Sequence, residues 1–182
     1  ILDLPVVVSS PNESYDVYHE GLVIRGSEIL TYVGGGTVAI PGEVTDAAGQ
    51  EYQVLEIGTH AFEGCSQLAG VSFPEYLNQI GSGAFEGCSS LTRAVYQGNI
   101  PTVAPDAFLG LHPTFKHYTL GQSVPGGYPA EFYESYVDGL VLGNNEVLTY
   151  VGGGTVSIPA YYNPDPRSPG WQEPVHFIKD DA

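Results

Sequence analysis

The chain has 182 residues, with 21 acidic side chains against five basic ones and a formal net charge of −16. Such an acidic surface repels phosphate backbones and anionic lipid headgroups, so nucleic acid is not expected as a partner. No apolar run approaches the roughly 18 residues of a membrane-spanning helix, so no membrane insertion is expected within these residues.

The first patterned segment runs from about residue 15 to 41. Gly21-Leu22-Val23-Ile24 and Leu30-Thr31-Tyr32-Val33 flank a turn at Gly26-Ser27, and Thr37-Val38-Ala39-Ile40 ends at Pro41. Alternating and β-branched residues around a glycine turn predict a β-hairpin followed by a short strand. Such a unit would cap a repeat array.

The array follows at about 54–120. Ala61-Phe62-Glu63-Gly64-Cys65-Ser66 returns as Ala84-Phe85-Glu86-Gly87-Cys88-Ser89, and again as Ala107-Phe108-Leu109-Gly110-Leu111, 23 residues apart each time. A fixed period of this length marks a solenoid, because one copy cannot bury its apolar side alone. Within a copy, Ile57, Ala61, Cys65 and Leu68 with Phe62 mark one face of a short helix or a run of helical turns. Gly64 is placed to end it. Leu68, Val71 and Phe73 then carry the L-x-x-L-x-L spacing of a horseshoe strand. Copy two repeats this with Ile80, Ala84, Phe85, Cys88, Leu91, Ala94 and Tyr96. Copy three keeps Val103, Ala107, Phe108 and Leu111, but its strand fits only with one inserted residue, giving Phe115, Tyr118 and Leu120.

A longer repeat encloses the first. The cap reappears 118 residues later as Gly139-Leu140-Val141-Leu142 through Leu148-Thr149-Tyr150-Val151 to Ile158-Pro159. Beyond it Val175, Ile178 and Ala182 align with Val54, Ile57 and Ala61 once three extra residues are allowed near Pro164–Arg167. The expected organisation is a first unit at 1–120, a linker at 121–130, and at 131–182 a second cap leading into a second array. The array is expected to continue past Ala182. The fold class expected is mostly β with short helices, a leucine-rich-repeat solenoid with β-hairpin caps.

The pattern I-G-x-x-A-F-x-G-C-x-x-L-x-x-V-x-x-P, here Ile57 to Pro74 and Ile80 to Gln97, together with the G-L-x-x-x-x-x-x-L-T-Y-V-G-G cap, resembles the BspA-type leucine-rich repeats of bacterial surface proteins. Leu111 in the cysteine slot departs from it. The resemblance implies a secreted or surface-attached bacterial protein, in which adhesion to host or microbial protein or glycan is the expected role. It carries no catalytic residues. Two rival roles are a structural spacer that presents another domain and a glycan-capture module.

Chemical motifs are sparse. Gly34-Gly35-Gly36 and Gly152-Gly153-Gly154 lack the following Lys-Ser or Lys-Thr of a phosphate loop and read as turns. No G-x-S-x-G, H-E-x-x-H or calcium-loop motif occurs, so no catalytic residue, metal or cofactor is assigned. Cys65 and Cys88 stand at equivalent places in adjacent copies, where a disulfide is conceivable. Leucine in the third copy favours an apolar slot with buried thiols.

A ligand would be expected on the concave sheet, at positions between the buried ones. These are Ser72 in copy one, Arg93 and Val95 in copy two, and Lys116, His117 and Thr119 in copy three. Arg93 and Lys116 would form a local basic spot in an acidic protein, able to receive a carboxylate or sulfated sugar. Tyr161, Tyr162 and Trp171, in the proline-rich part of the second cap, form a second candidate contact. Tyr133 and Tyr136 are expected to cover the join between the two units.

Overall fold

The computed structural model describes residues 16–120 without a break, and beyond them 130–133, 135–137, 139–143, 146–151, 158–159, 161–162, 173–175 and 177–178. Two sheets organise the chain. In one, the antiparallel strands Asp16–His19, Leu22–Arg25 and Glu28–Tyr32 are continued by the parallel two-residue strands Glu56–Ile57, Gln79–Ile80 and Thr102–Val103. In the other, Gly36–Ala39, Leu68–Phe73, Arg93–Tyr96, Lys116–Thr119 and Ala130–Phe132 lie side by side, all parallel. Each repeat therefore gives one short strand to the first sheet and one longer strand to the second. The cap starts both sheets, which is how a hairpin satisfies the edge of a parallel stack.

Of the two forms expected between the strands, a short helix or a run of helical turns, the chain takes the turns, and no helix occurs among the described residues. The backbone shows why. Glu63 and Cys65 N–H donate three residues back, to His60 and Phe62, while the alternating Phe62 and Gly64 N–H donate across to Ala84 and Glu86 of the next copy. Phe85 and Gly87 repeat this toward Ala107 and Leu109. Every second donor is spent on the neighbouring coil, so a helix with bonds four residues back cannot form.

The core runs along the stack. Tyr32, Phe62, Phe85 and Phe108 form an aromatic column with centroid separations of 5.0, 4.7 and 5.2 Å. Leu68, Val71, Phe73, Leu91, Ala94 and Tyr96 close it from the strand side. Cys88 and Cys65 are free thiols. Cys88 Sγ donates to the Phe62 carbonyl at 3.0 Å and Cys65 Sγ to the Tyr32 carbonyl at 3.7 Å, each pointing to the preceding coil.

In copy three the strand keeps the 23-residue spacing, since Arg93, Ala94 and Val95 pair with Lys116, His117 and Tyr118. The expected insertion is not needed in the strand: the turn is one residue longer, with Phe115 N–H bonded to His112 as Leu91 N–H is to Cys88, and the chain is one residue shorter between Phe115 and Lys116 than between Leu91 and Arg93. His117 therefore takes the inward place of Val71 and Ala94, and Tyr118 turns to the opposite face.

The second cap repeats the first in detail. Ser135–Val137, Leu140–Gly143 and Glu146–Tyr150 form the antiparallel set, and Phe177–Ile178 pairs parallel with Glu146–Tyr150. The register shift between Val23 and Ile24 recurs between Val141 and Leu142. Gly21 and Gly139 adopt φ of +88° and +87°, and a Cβ on either would collide with the carbonyl of Val33 or Val151. Only glycine meets both demands.

Candidate functional site

Strand alternation divides the six concave candidates. Ser72, Arg93, Val95 and Lys116 share the outer face of the parallel sheet, and Tyr118 completes it. His117 and Thr119 lie on the core side, a correction that follows from the register of copy three. His117 Nδ1 shares a 3.0 Å hydrogen bond with Tyr96 Oη, and its ring meets Phe108 and Phe115 edge to face. Burial in this apolar box pushes its pKa down to about 3, so it is a neutral core residue, outside any binding surface.

The outer face is itself covered. Val95 and Tyr118 pack with Tyr133, Val141, Leu148 and Val151 of the second cap in one apolar cluster, with Tyr136 at its border. Tyr133 Oη donates to the Tyr96 carbonyl, and Tyr136 Oη lies 3.3 Å from Ser72 Oγ. Tyr133 and Tyr136 thus do cover the join between the units. Ser72 and Val95 are fully buried, against the expectation of a free strip. The physical reason is that the second cap presents apolar residues on its outer side and the concave sheet offers the nearest apolar ground. Arg93 and Lys116 are half-buried neighbours across the sheet. The Arg93 side chain runs over Gly70, where a Cβ would come within 2.9 Å of Nε. Its packed stem lowers the guanidinium pKa by desolvation.

Of the aromatic candidates, Tyr161–Tyr162 forms a short strand paired with Glu173–Pro174. Trp171 lies outside the described residues, as do residues 121–129 of the linker.

An open groove occurs elsewhere, on the flank where the chain leaves the parallel sheet. Gln53, Leu55, Glu75, Tyr76, Leu77, Asn78 and Asn99 border a space of about 340 Å³. Tyr76 is 59% exposed and offers its ring to solvent. Next to Asn99, Gly98 sits on the Glu75 backbone with no room for a Cβ. Amide side chains, one carboxylate and one open ring are the groups that bind neutral polar ligands such as sugars. The sequence hid this site because its members come from three successive copies at positions outside the repeat pattern.

One donor set for a cation also forms between copies. His60, Glu63 and Glu86 bring ligand atoms within 4.8 Å of one another, all on exposed side chains. His60 Nδ1 is 3.1 Å from Glu63 Oε2, a pair formed when the ring is protonated. Glu86 arrives from the next coil, a neighbour that sequence spacing did not reveal. Nearby, Ser82 Oγ donates to Asp106 Oδ2 at 2.6 Å, which holds that carboxyl below its usual range. The hydroxyl is committed to a carboxylate, not to an imidazole base, so the pair is not an activated nucleophile.

Residues 49–137 match the model of the BspA type leucine-rich repeat region, in six copies. Among solved structures, a leucine-rich repeat protein from Bacteroides capillosus is 25% identical over 58% of this chain and 72% of its own, with a TM-score of 0.40. A leucine-rich cell surface protein from Faecalibacterium prausnitzii is 24% identical over 71% of this chain and 33% of its own, at a TM-score of 0.43. The leucine-rich repeat protein of T. pallidum is 31% identical over 51% of this chain and 35% of its own, at 0.33. The chain thus spans about a third of the length of the last two. No curated protein matches it.

Proposed function

Because the chain belongs to the BspA-type leucine-rich-repeat family, we propose that it is a non-catalytic binding module at a bacterial cell surface. Its ligand is an extracellular glycan or a glycan-bearing protein, taken up in the flank groove. The observation that carries this reading is the exposed Tyr76 ring set among Gln53, Asn78, Asn99 and Glu75 over an open space of about 340 Å³. A sugar face stacks on such a ring while hydroxyls bond to the amides. The test is binding of the immobilised protein to arrays of host and bacterial glycans, mucins and matrix proteins, beside Tyr76→Ala and Asn78→Ala. Saturable binding weakened about tenfold or more by either substitution supports the groove, since one stacking or hydrogen-bonding contact contributes on the order of 1.4 kcal/mol. Binding unaffected by both places the ligand elsewhere on the chain.

A spacer role is the second reading, and one observation favours it. The central concave positions Ser72 and Val95, where a horseshoe would hold a partner, are filled by the chain's own second cap. Absence of binding to every probe from a folded sample would turn the assignment to the spacer.

A further inference from the structure

The two caps share their sequence and strand register, yet the same face has two different fates. In the second cap, Tyr136, Val141, Leu148 and Val151 lie against the concave sheet of the preceding array. Subtracting 118 from each number gives Tyr18, Val23, Leu30 and Val33 in the first cap, with the residue type unchanged at all four positions. Tyr133, the remaining member, has Tyr15 at its place in the sequence. The strand pairing and the register shift match, so these side chains occupy the same face of the same hairpin. In the first cap that face is more open, with no described residue outside the cap packed over it. Val33 is 70% exposed and Tyr18 59%, whereas Val151 is at 0%. Val23 and Leu30 are half-buried, whereas Val141 and Leu148 are buried.

Hairpin folding does not require these apolar types, because the first cap packs its inner face, Leu22, Ile24, Ile29 and Tyr32, into its own array without them. An apolar face identical to one that is buried elsewhere in the same chain is a docking face without its partner. We infer that the Tyr18–Val23–Leu30–Val33 face of the first cap docks on the open concave sheet of another leucine-rich-repeat array of this type. The partner offers what Ser72, Val95 and Tyr118 offer here, a small hydroxyl side chain and two apolar ones on adjacent parallel strands. The contact is head to tail, between two unlike surfaces. The chain's own concave sheet is occupied by its second cap, so wild-type molecules do not join one another, and the partner is an array whose sheet is uncovered.

The experiment uses the 182-residue chain in two roles. The acceptor carries Val141→Glu and Leu148→Glu, which lift its second cap off the sheet, together with Tyr18→Ser and Val33→Glu, which disable its own first-cap face. The donor is the wild-type chain. Sedimentation and titration calorimetry are expected to show saturable one-to-one binding of donor to acceptor, no self-association of the wild type, and at least a tenfold loss when the donor carries Tyr18→Ser and Val33→Glu. A folded acceptor that does not bind the donor overturns the inference, as does binding that survives in the altered donor. A milder acceptor, with Tyr136→Ala and Val151→Ser in place of the two glutamates, is run in parallel, so that misfolding of the first leaves the question decidable.

Discussion

His117 gives the fold a pH dependence that can be worked out from its surroundings. The imidazole is fully buried among Tyr96, Phe108 and Phe115 and shares its Nδ1 with the Tyr96 hydroxyl. Desolvation lowers its pKa from 6.5 to about 3. Between those values only the unfolded chain takes up the proton, so its contribution to stability is intact above about pH 6.5 and is lost as pH falls toward 3. One proton over one pH unit is about 1.4 kcal/mol, so at pH 5 the loss is about 2 kcal/mol. His117→Gln keeps an acceptor for Tyr96 but cannot titrate. Urea unfolding of both proteins at pH 8, 7, 6 and 5, followed by circular dichroism, isolates the effect, because titration of the many carboxylates cancels in the difference. The wild type is expected to lose about 2 kcal/mol relative to the variant between pH 7 and 5 and nothing between pH 8 and 7. A difference that stays constant across the series would refute a neutral, buried His117.

Three further outcomes follow from the packing. Phe85→Ala empties the middle of the aromatic column, where Phe85 is fully buried between Phe62 and Phe108, and is expected to cost about 3–5 kcal/mol in denaturant unfolding. A loss under about 1.5 kcal/mol would mean that the column is not close-packed. Burial pushes the Cys88 thiol up to about 12, so a thiol reagent at pH 8 is expected to label it only as the chain unfolds, with half-buried Cys65 reacting first. Rapid labelling of Cys88 in the folded protein would contradict the inward sulfur seen here. Gly21→Ala and Gly139→Ala place a Cβ against the Val33 and Val151 carbonyls at φ near +90°, and each is expected to cost about 1–3 kcal/mol. Hydrogen exchange should rise in the hairpin carrying the change, and two very unequal costs would argue against equivalent caps.

Most of the stack was legible because its signals are periodic. The 23-residue return of Phe62, Phe85 and Phe108 marked the column, and the 118-residue return of the Gly21–Pro41 segment marked the second hairpin. Alignment of Ile178 with Ile57 anticipated its pairing with Val147, the counterpart of the pairing between Ile29 and Ile57. Two features were left undecided or misplaced for local reasons. Apolar spacing between the strands suited a short helix or a run of helical turns, and the turns are what forms, because the amide protons of Phe62 and Gly64 go to the next coil, a partner no single copy displays. In copy three an inserted residue was expected in order to place Phe115, Tyr118 and Leu120 inward, whereas the register places His117 inward, where a neutral imidazole bonded to Tyr96 fills an apolar slot well. The flank groove and the cluster of His60, Glu63 and Glu86 were invisible for one common reason, that both are assembled across successive coils.

The concave face shows where repeat patterns stop informing. Period and register establish which residues point away from a coil's own core; they say nothing of what arrives from outside. Val95 carried the available hint, since a β-branched apolar residue at an outward position in so acidic a chain has little to gain from water. The complementary hint lay at Val141, Leu148 and Val151, apolar on the outer side of a hairpin whose inner side already holds Leu140, Leu142 and Val147. Two apolar faces of matching size within one chain bury each other in preference to solvent. The surfaces left open among the described residues include the Tyr76 flank and the outer face of the first cap. A duplicated cap in such an array therefore does two jobs, since it begins one stack and closes the hollow of the stack before it.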